Sequence, residues 1–299
     1  MNETILFADR SFSTSVNVSI FFTLSGMALM SLISSANSKM ARANMATAAT
    51  VPPAAAIESI LRQRDTPLRL VVIDDATPGD AWVASLVQFR RDARLSVYRS
   101  DRNVGPYRLN NRILAEVETP FVAFQDADDL SEPDRLSIQL GILEKSGADM
   151  VGSSFRYISE EGTLISLKRM PRNVNLWMRL GRPFTLLHPT TVIKRSALTM
   201  LGGFDGTTRI AADTDFLLRA APLLRIVNAP KFLYNYRLRG GSLTGDALTG
   251  HGSALRRAYV DAMRRRVKER RRNRSLRLLD ESLLAPPNDV EFRLSPVRI

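Results

Sequence analysis

The chain has 299 residues, 44% hydrophobic and 24% charged, which suits one large α/β domain or one domain with a short appendage. It has no cysteine and only two histidines, His188 and His251, so disulfide frameworks, thiol chemistry, cysteine-ligated zinc and histidine-rich metal centres are excluded. The formal charge of +12 is concentrated between Arg256 and Arg277, where ten arginines and one lysine face only Asp261 and Glu269, so the body of the chain is mildly basic.

From Phe12 to Ser38 there is no charged residue, and Val18 to Ile33 is largely apolar. Three readings of this segment compete. The first is a buried strand, Val18 to Leu24, running into a buried helix. The second is a signal peptide with Ser34, Ser35, Ala36 and Ser38 as its cleavage region, although Glu3, Asp9 and Arg10 make an unusual flank. The third is a membrane span at the short limit of length. Ala41 to Ala56, rich in Ala and Thr with Pro52 and Pro53 adjacent, reads as an irregular connection. Residues 1–55 are therefore set apart from a domain over 56–250 and a basic extension over 251–299.

After Pro53 the pattern becomes regular. Ile57, Ile60 and Leu61 share a helical face, and Leu68 to Ile73 is a short apolar strand that ends at Asp74 and Asp75. Thr77, Pro78 and Gly79 form a turn before a helix expected over Ala81 to Arg91. A strand follows at Leu95 to Tyr98, then a helix from Arg108 to Val117, and Pro120 leads into the strand Phe121 to Phe124. Ser131, Pro133 and Asp134 mark a helix start, with Leu136, Leu140 and Leu143 on one face. Strands alternating with helices of this length predict an α/β fold with a mostly parallel sheet covered on both sides. Such sheets bind ligands beyond the carboxyl ends of their strands, where Asp74, Asp75, Asp126 and Asp128 fall.

Asp126 and Asp128 stand one residue apart at the end of an apolar strand. Carboxylates brought that close oppose each other's ionisation unless a cation joins them, and Mg2+ or Mn2+ would bridge them to diphosphate oxygens. The plain alternative is a polar loop in which Asp129 or Ser131 caps the next helix.

FVAFQDADDLSEPDRL resembles the metal-binding segment of family 2 glycosyltransferases. The likeness continues on both sides, in order: IESILRQ with LRLVVIDDATPGD, RSDRNVGPYRLNNRIL, HPTTVIKRSALTMLGGFDGTTRIAADTDFLLRA, and APKFLYNYRLRGGSLT. The resemblance implies a GT-A fold, a Rossmann-like nucleotide-diphospho-sugar transferase, with inverting sugar transfer from a nucleotide sugar. It puts Asp126 and Asp128 on Mn2+ or Mg2+ and the donor diphosphate. Asp74 and Asp75 are implied against the base or ribose. Asn103, Arg108, Asn110 and Arg112 complete the donor side, with Arg108 or Arg112 compensating for Asn110 where the family favours a cation. Asp213 is implied as the catalytic base, with Asp215 as the neighbouring carboxylate, and His188, Gly202, Gly203 and Phe204 lie on the acceptor side. The sequence departs from the pattern in lacking the Pro-x-Tyr-Asn turn after its first strand and in carrying Ala212 before Asp213.

The implied partners are a nucleotide-diphosphate sugar, UDP-sugar favoured, and a glycan or lipid-linked acceptor in polysaccharide or glycoconjugate synthesis. The arginines of the C-terminal extension suit an anionic membrane surface, and with no aromatic residue among them from Arg264 to Arg277 they offer no stacking platform for nucleic acid. A cytoplasmic protein, peripheral at the inner face of the membrane, is the expected setting. The alternative function is a catalytically silent nucleotide-binding or anionic-surface interaction protein.

Overall fold

The computed structural model describes residues 18–24, 53–182, 184–208, 211–239, 253–272 and 290–299. The apolar segment beyond Leu24, on which the signal and membrane-span readings depend, lies outside them. Among the described residues no helix is long and apolar enough to cross a membrane.

The first strand, β1 (Val18–Leu24), is the centre of the sheet, parallel both to β2 (Leu68–Asp74) and to β4 (Phe121–Asp126). A strand buried on both faces reads as a continuous apolar run, which is why VSIFF shows little alternation. Val18, Ile20 and Phe22 pack on one side with Ile57 and Ile60 of α1 (Ala54–Leu61), while Phe21 joins Phe124, Phe204 and Phe216 on the other. The register sets Thr23 opposite both Ile73 and Asp126, and Leu24 opposite Asp74. The acidic carboxyl ends of β2 and β4 therefore flank the end of β1.

The remaining elements are α2 (Ala81–Ala84), β3 (Leu95–Ser100), α3 (Pro106–Leu114), β5 (Leu130–Ser131), α4 (Arg135–Ser146), β6 (Met150–Ile158), β7 (Leu164–Lys168), α5 (Val174–Arg179), β8 (Val192–Lys194), α6 (Arg195–Met200), α7 (Ala212–Ala220), β9 (Ile226–Arg237), α8 (Ala254–Arg272) and β10 (Leu294–Pro296). The sheet runs β10-β3-β2-β1-β4-β8-β6-β9-β5, with β7 added to β6. It is parallel through β3, β2, β1 and β4 and again between β6 and β9, and antiparallel at the other pairings.

Two expected helices start or stop elsewhere. The segment after Asp80 makes only one helical turn, because the Ser85 hydroxyl bonds the Trp82 carbonyl at 2.6 Å and the backbone tightens into three-residue turns, Leu86 to Val83 and Phe89 to Leu86. Ser131, expected near a helix start, pairs instead with Tyr234 in the sheet, and α4 begins only at Arg135. The chain's end returns to the sheet: β10 lies antiparallel to β3, and Val290 and Phe292 pack on the same core as Phe124. α8 packs against α7.

Candidate active site

The loop after β4 is built by the end of β9. Asp129 is buried and accepts the Arg237 backbone N–H at 2.7 Å, while Arg237 Nε donates to the Asp128 carbonyl at 2.8 Å and its guanidinium also reaches the Ser159 and Glu160 carbonyls. Tyr234 Oη accepts the Asp126 N–H at 3.1 Å. Beneath the loop lies Arg135, wholly buried and, among the described residues, without a carboxylate in its hydrogen bonds. It donates to the carbonyls of Phe124 and Pro189 at 2.8 and 2.9 Å, to Gln125 Oε1, to Ser131 Oγ and to Gln139 Oε1. Burial pulls its guanidinium down to about 10 against the pull of Tyr234, Asp126 and Asp129. A buried charge held by neutral oxygens is costly unless every donor is used, and here it fixes the loop from below.

Asp126 opens on the crevice, yet its carboxyl is raised to about 7, first by the surrounding protein and then by the charges of Asp128 and Asp213. Asp128 Oδ2 lies 2.8 Å from Arg239 Nε, an ion pair without the alignment of a hydrogen bond. Two carboxylates with a third nearby are the donor chemistry of Mg2+ or Mn2+, which take few protein oxygens and complete their shell with water and phosphate. Among the described residues, no group of three or more His, Cys, Asp or Glu side chains is placed to hold a metal ion.

Asp213 sits in the first turn of α7, half-buried, with its Oδ1 accepting the Thr214 N–H at 2.8 Å. Three side chains feel its charge: Asp126, Tyr107 and His188. Burial and then Asp213 push the Tyr107 phenol well above its usual range, and Tyr107 also bonds the Asp213 backbone. Burial pulls the His188 imidazole down to about 4, so the ring is neutral at physiological pH, and its Nε2 is buried with no hydrogen-bond partner among the described residues. Phe204 packs between His188, Tyr107, Phe124 and Phe216, with ring centroids 5.1 to 5.6 Å apart.

The Gly202–Gly203–Phe204 turn is clamped from both sides. Gly202 and Gly203 have φ of 69° and 71°, conformations that a side chain resists. Asn111 of α3 donates to the Phe204 carbonyl at 2.7 Å and accepts the Phe204 N–H at 2.9 Å, and a Cβ at Gly203 would fall 2.3 Å from Asn111 Oδ1. From below, Arg219 donates to the Leu201 and Gly203 carbonyls at 2.7 and 2.8 Å and to Asp215 Oδ2 at 2.7 Å. Asp215 is thus the buried counter-ion of the turn's anchor.

The donor side divides in the same way. Asp75 is 1% exposed, and its oxygens accept the backbone N–H groups of Val104 and Gly105 at 2.7 and 2.9 Å and Asn103 Nδ2 at 2.9 Å. Asp75 and Asn103 brace the start of α3, where Gly105 takes φ of 90° before Pro106. Asp74, fully buried, pairs with Arg99 Nε at 2.7 Å and accepts the Thr77 N–H at 3.2 Å. Arg112 pairs with Glu116 one helical turn on, and Asn110 is buried. Arg108 remains the less committed cation of α3: among the described residues its guanidinium makes one long bond, 3.4 Å to the Val104 carbonyl, and its Nε is buried without a hydrogen-bond partner. The structure therefore gathers Asp126, Asp128, Asp213 and His188 about one mouth. Asp74, Asp75, Asp215 and Arg112 go to ion pairs and loop anchors.

Five contributors escaped the sequence reading: Tyr107, Asn111, Arg135, Arg237 and Arg239. All five lay inside the motifs that carry the resemblance, and for Arg135, Arg237 and Arg239 the surplus of arginines beside an acidic loop was the signal available. Nothing local marks Tyr107 or Asn111, because their partners are about a hundred residues away.

The model of glycosyl transferase family 2 matches residues 54–202. The chain is 28% identical over 198 residues to the O-antigen biosynthesis glycosyltransferase WbnJ of Escherichia coli, across 64% of this chain and 76% of that one. It is likewise 28% identical over 241 residues to the succinoglycan biosynthesis protein ExoO of Rhizobium meliloti, across 72% and 68%. Among solved structures it is similar to S. aureus TarS 1–349 in complex with UDP, with a TM-score of 0.55 and 17% identity over 87% of this chain and 72% of that one. At that identity the likeness speaks for the fold, a mixed, mostly parallel central sheet of GT-A type.

Proposed function

This chain belongs to glycosyl transferase family 2, and from that premise we propose that it moves a sugar from a nucleotide-diphosphate donor, UDP-sugar favoured, to an acceptor hydroxyl with inversion. The observation that carries the reading is the placement of Asp126 and Asp128 at and just past the carboxyl end of β4, beside the end of β1, where the charge of Asp213 on α7 also reaches Asp126. Polysaccharide or glycoconjugate synthesis is the setting supported by relatives named for O-antigen and succinoglycan biosynthesis, with a glycan or lipid-linked acceptor. The UDP bound to TarS supports the choice of donor class.

In this reading Asp126 and Asp128 hold Mn2+ or Mg2+, which when bound supplies charge stabilisation for the departing nucleoside diphosphate. Arg108 and Arg239 supply further positive charge toward that diphosphate. Asp213 takes the proton from the acceptor hydroxyl as the hydroxyl oxygen attacks, the two events being concerted. His188, neutral and with an unpaired Nε2, orients the acceptor, and Phe204 closes that side. A cytoplasmic setting, peripheral at the inner face of a membrane, follows from such an acceptor and from the arginines of α8.

The test is a panel of UDP-, GDP- and dTDP-sugars assayed with Mn2+ or Mg2+ and with polyol, glycan and lipid-linked acceptors. Asp128→Asn weakens metal-dependent donor binding, whereas Asp213→Asn preserves it and lowers transfer by about 10²–10⁴-fold. Wild-type transfer by Asp213→Asn would remove the base assignment.

A further inference from the structure

The buried ring of Phe204 stands behind the two side chains assigned to the acceptor. It is 1% exposed, and its centroid lies 5.2 Å from that of His188, edge-on, and 5.1 Å from that of Phe216. Phe216 is on α7 three residues after Asp213, the spacing that brings two side chains to one side of a helix. A shift of Phe204 is therefore passed both to the imidazole and to the turn of helix that holds Asp213.

Phe204 is itself held from the opposite half of the crevice. Asn111 of α3 donates through Nδ2 to the Phe204 carbonyl at 2.7 Å and accepts the Phe204 N–H on Oδ1 at 2.9 Å, across 93 residues of sequence. One planar amide, donor and acceptor together, satisfies both backbone groups as a neighbouring strand would. Gly203 leaves room for it, since a Cβ there would fall 2.3 Å from Asn111 Oδ1 and 3.1 Å from its Cγ. Tyr107, one turn earlier on the same helix, places its ring 5.6 Å from that of Phe204. Arg219, the other clamp of the turn, comes from α7 and ties the turn to the helix of Asp213. Asn111 ties it across to the helix that carries Arg108 and starts at the loop braced by Asp75.

We infer that Asn111 is a positioning residue of the transfer step: it sets Phe204, and through it His188 and Asp213, in register with the donor, so that an acceptor hydroxyl is used in preference to water. It acts through the turn and touches no substrate. The inference rests on the transfer reaction proposed above. Water is small and abundant and reacts without a wall to orient it, whereas a glycan hydroxyl needs the wall, and a misplacement of about 1 Å costs up to about 10²-fold.

The experiment measures two rates on one preparation of the full chain: transfer to the best acceptor of the panel, and hydrolysis of the same donor with no acceptor present. Their ratio does not depend on how much of the enzyme is folded, so a loss of stability alone leaves it unchanged. Asn111→Ala should lower the ratio of transfer to hydrolysis by about ten- to a hundredfold, with acceptor KM raised. Its affinity for UDP with Mn2+, by calorimetry, should match wild type. Gly203→Ala drives a methyl into the seat of the amide and should lower the ratio in the same way. The double variant should be no worse than the worse single, because without the amide the methyl has room. A wild-type ratio in Asn111→Ala overturns the role. So does a loss of UDP affinity as large as the loss of transfer, which makes Asn111 part of the donor site. Losses that multiply in the double variant also overturn it, since the two positions then act independently. Wild type that binds UDP with Mn2+ yet neither transfers nor hydrolyses any donor removes the reaction itself, and this role with it.

Discussion

Replacing Asp215 with Asn tests whether the second carboxylate of α7 supports the fold or the chemistry. Its side chain is 12% exposed and that of Arg219 3%, so the substitution strands a guanidinium in the core with one partner weakened. Removing one member of such a pair costs about 3 kcal/mol, the low end of the range because an amide oxygen still accepts one hydrogen bond. For a chain of this size, about 3 kcal/mol corresponds to a melting temperature lower by roughly 5 °C. Arg219 also holds the Leu201 and Gly203 carbonyls, so the Gly–Gly–Phe turn loosens and the acceptor KM rises while donor binding holds. Asp213→Asn serves as the contrast, with near wild-type melting and transfer largely lost. Differential scanning calorimetry beside initial-rate kinetics on the folded fraction separates the two. If Asp215→Asn melts with wild type yet loses transfer as severely as Asp213→Asn, the division of labour between these two carboxylates is refuted.

The Asp126 carboxyl, raised to about 7, is largely protonated below that pH, so Mn2+ must displace a proton there; affinity should climb from about pH 6 to 8, with proton release measurable by calorimetry in buffers of different ionisation enthalpy. The sign for stability is opposite: a carboxyl raised in the folded state contributes stability below its unfolded pKa that is lost as pH rises through about 7, so Asp126→Asn should flatten the fall in melting temperature of the metal-free protein over that window. Arg239→Gln releases Asp128 from its ion pair, which should tighten Mn2+ binding without nucleotide and weaken nucleoside diphosphate binding with it; loss of both affinities in titration would contradict a competing role for Arg239.

The central strands and the acidic ends of β2 and β4 were legible because a doubly buried parallel strand writes itself as an apolar run that stops at its ligand-facing residues. β1 carried the same signature but was ambiguous, since an apolar run of that length also suits a leader or a span, and its pairing on both sides is what makes Val18–Leu24 a strand. The end of the chain was read as a basic extension because its charge overwhelms the short β10, whose pairing with β3 joins residues almost two hundred positions apart.

The site was legible by residue type and much less by role. An aspartate at a strand end looks the same in sequence whether it opens on a crevice, as Asp126 does, or accepts three hydrogen bonds from the next loop, as Asp75 does. What separates them is the supply of local donors. Asn103, Val104 and Gly105 turn three N–H groups onto Asp75 and leave it satisfied, whereas Asp126 faces Asp128 and Asp213 and is left with charge to share. Asp213 and Asp215 divide by the same rule, because Arg219 stands one helical turn beyond Asp215 and nothing of opposite charge stands one turn beyond Asp213. That i,i+4 relation is visible in AADTDFLLR, and it marks Asp215 as the paired carboxylate, which leaves Asp213 for the acceptor role we propose.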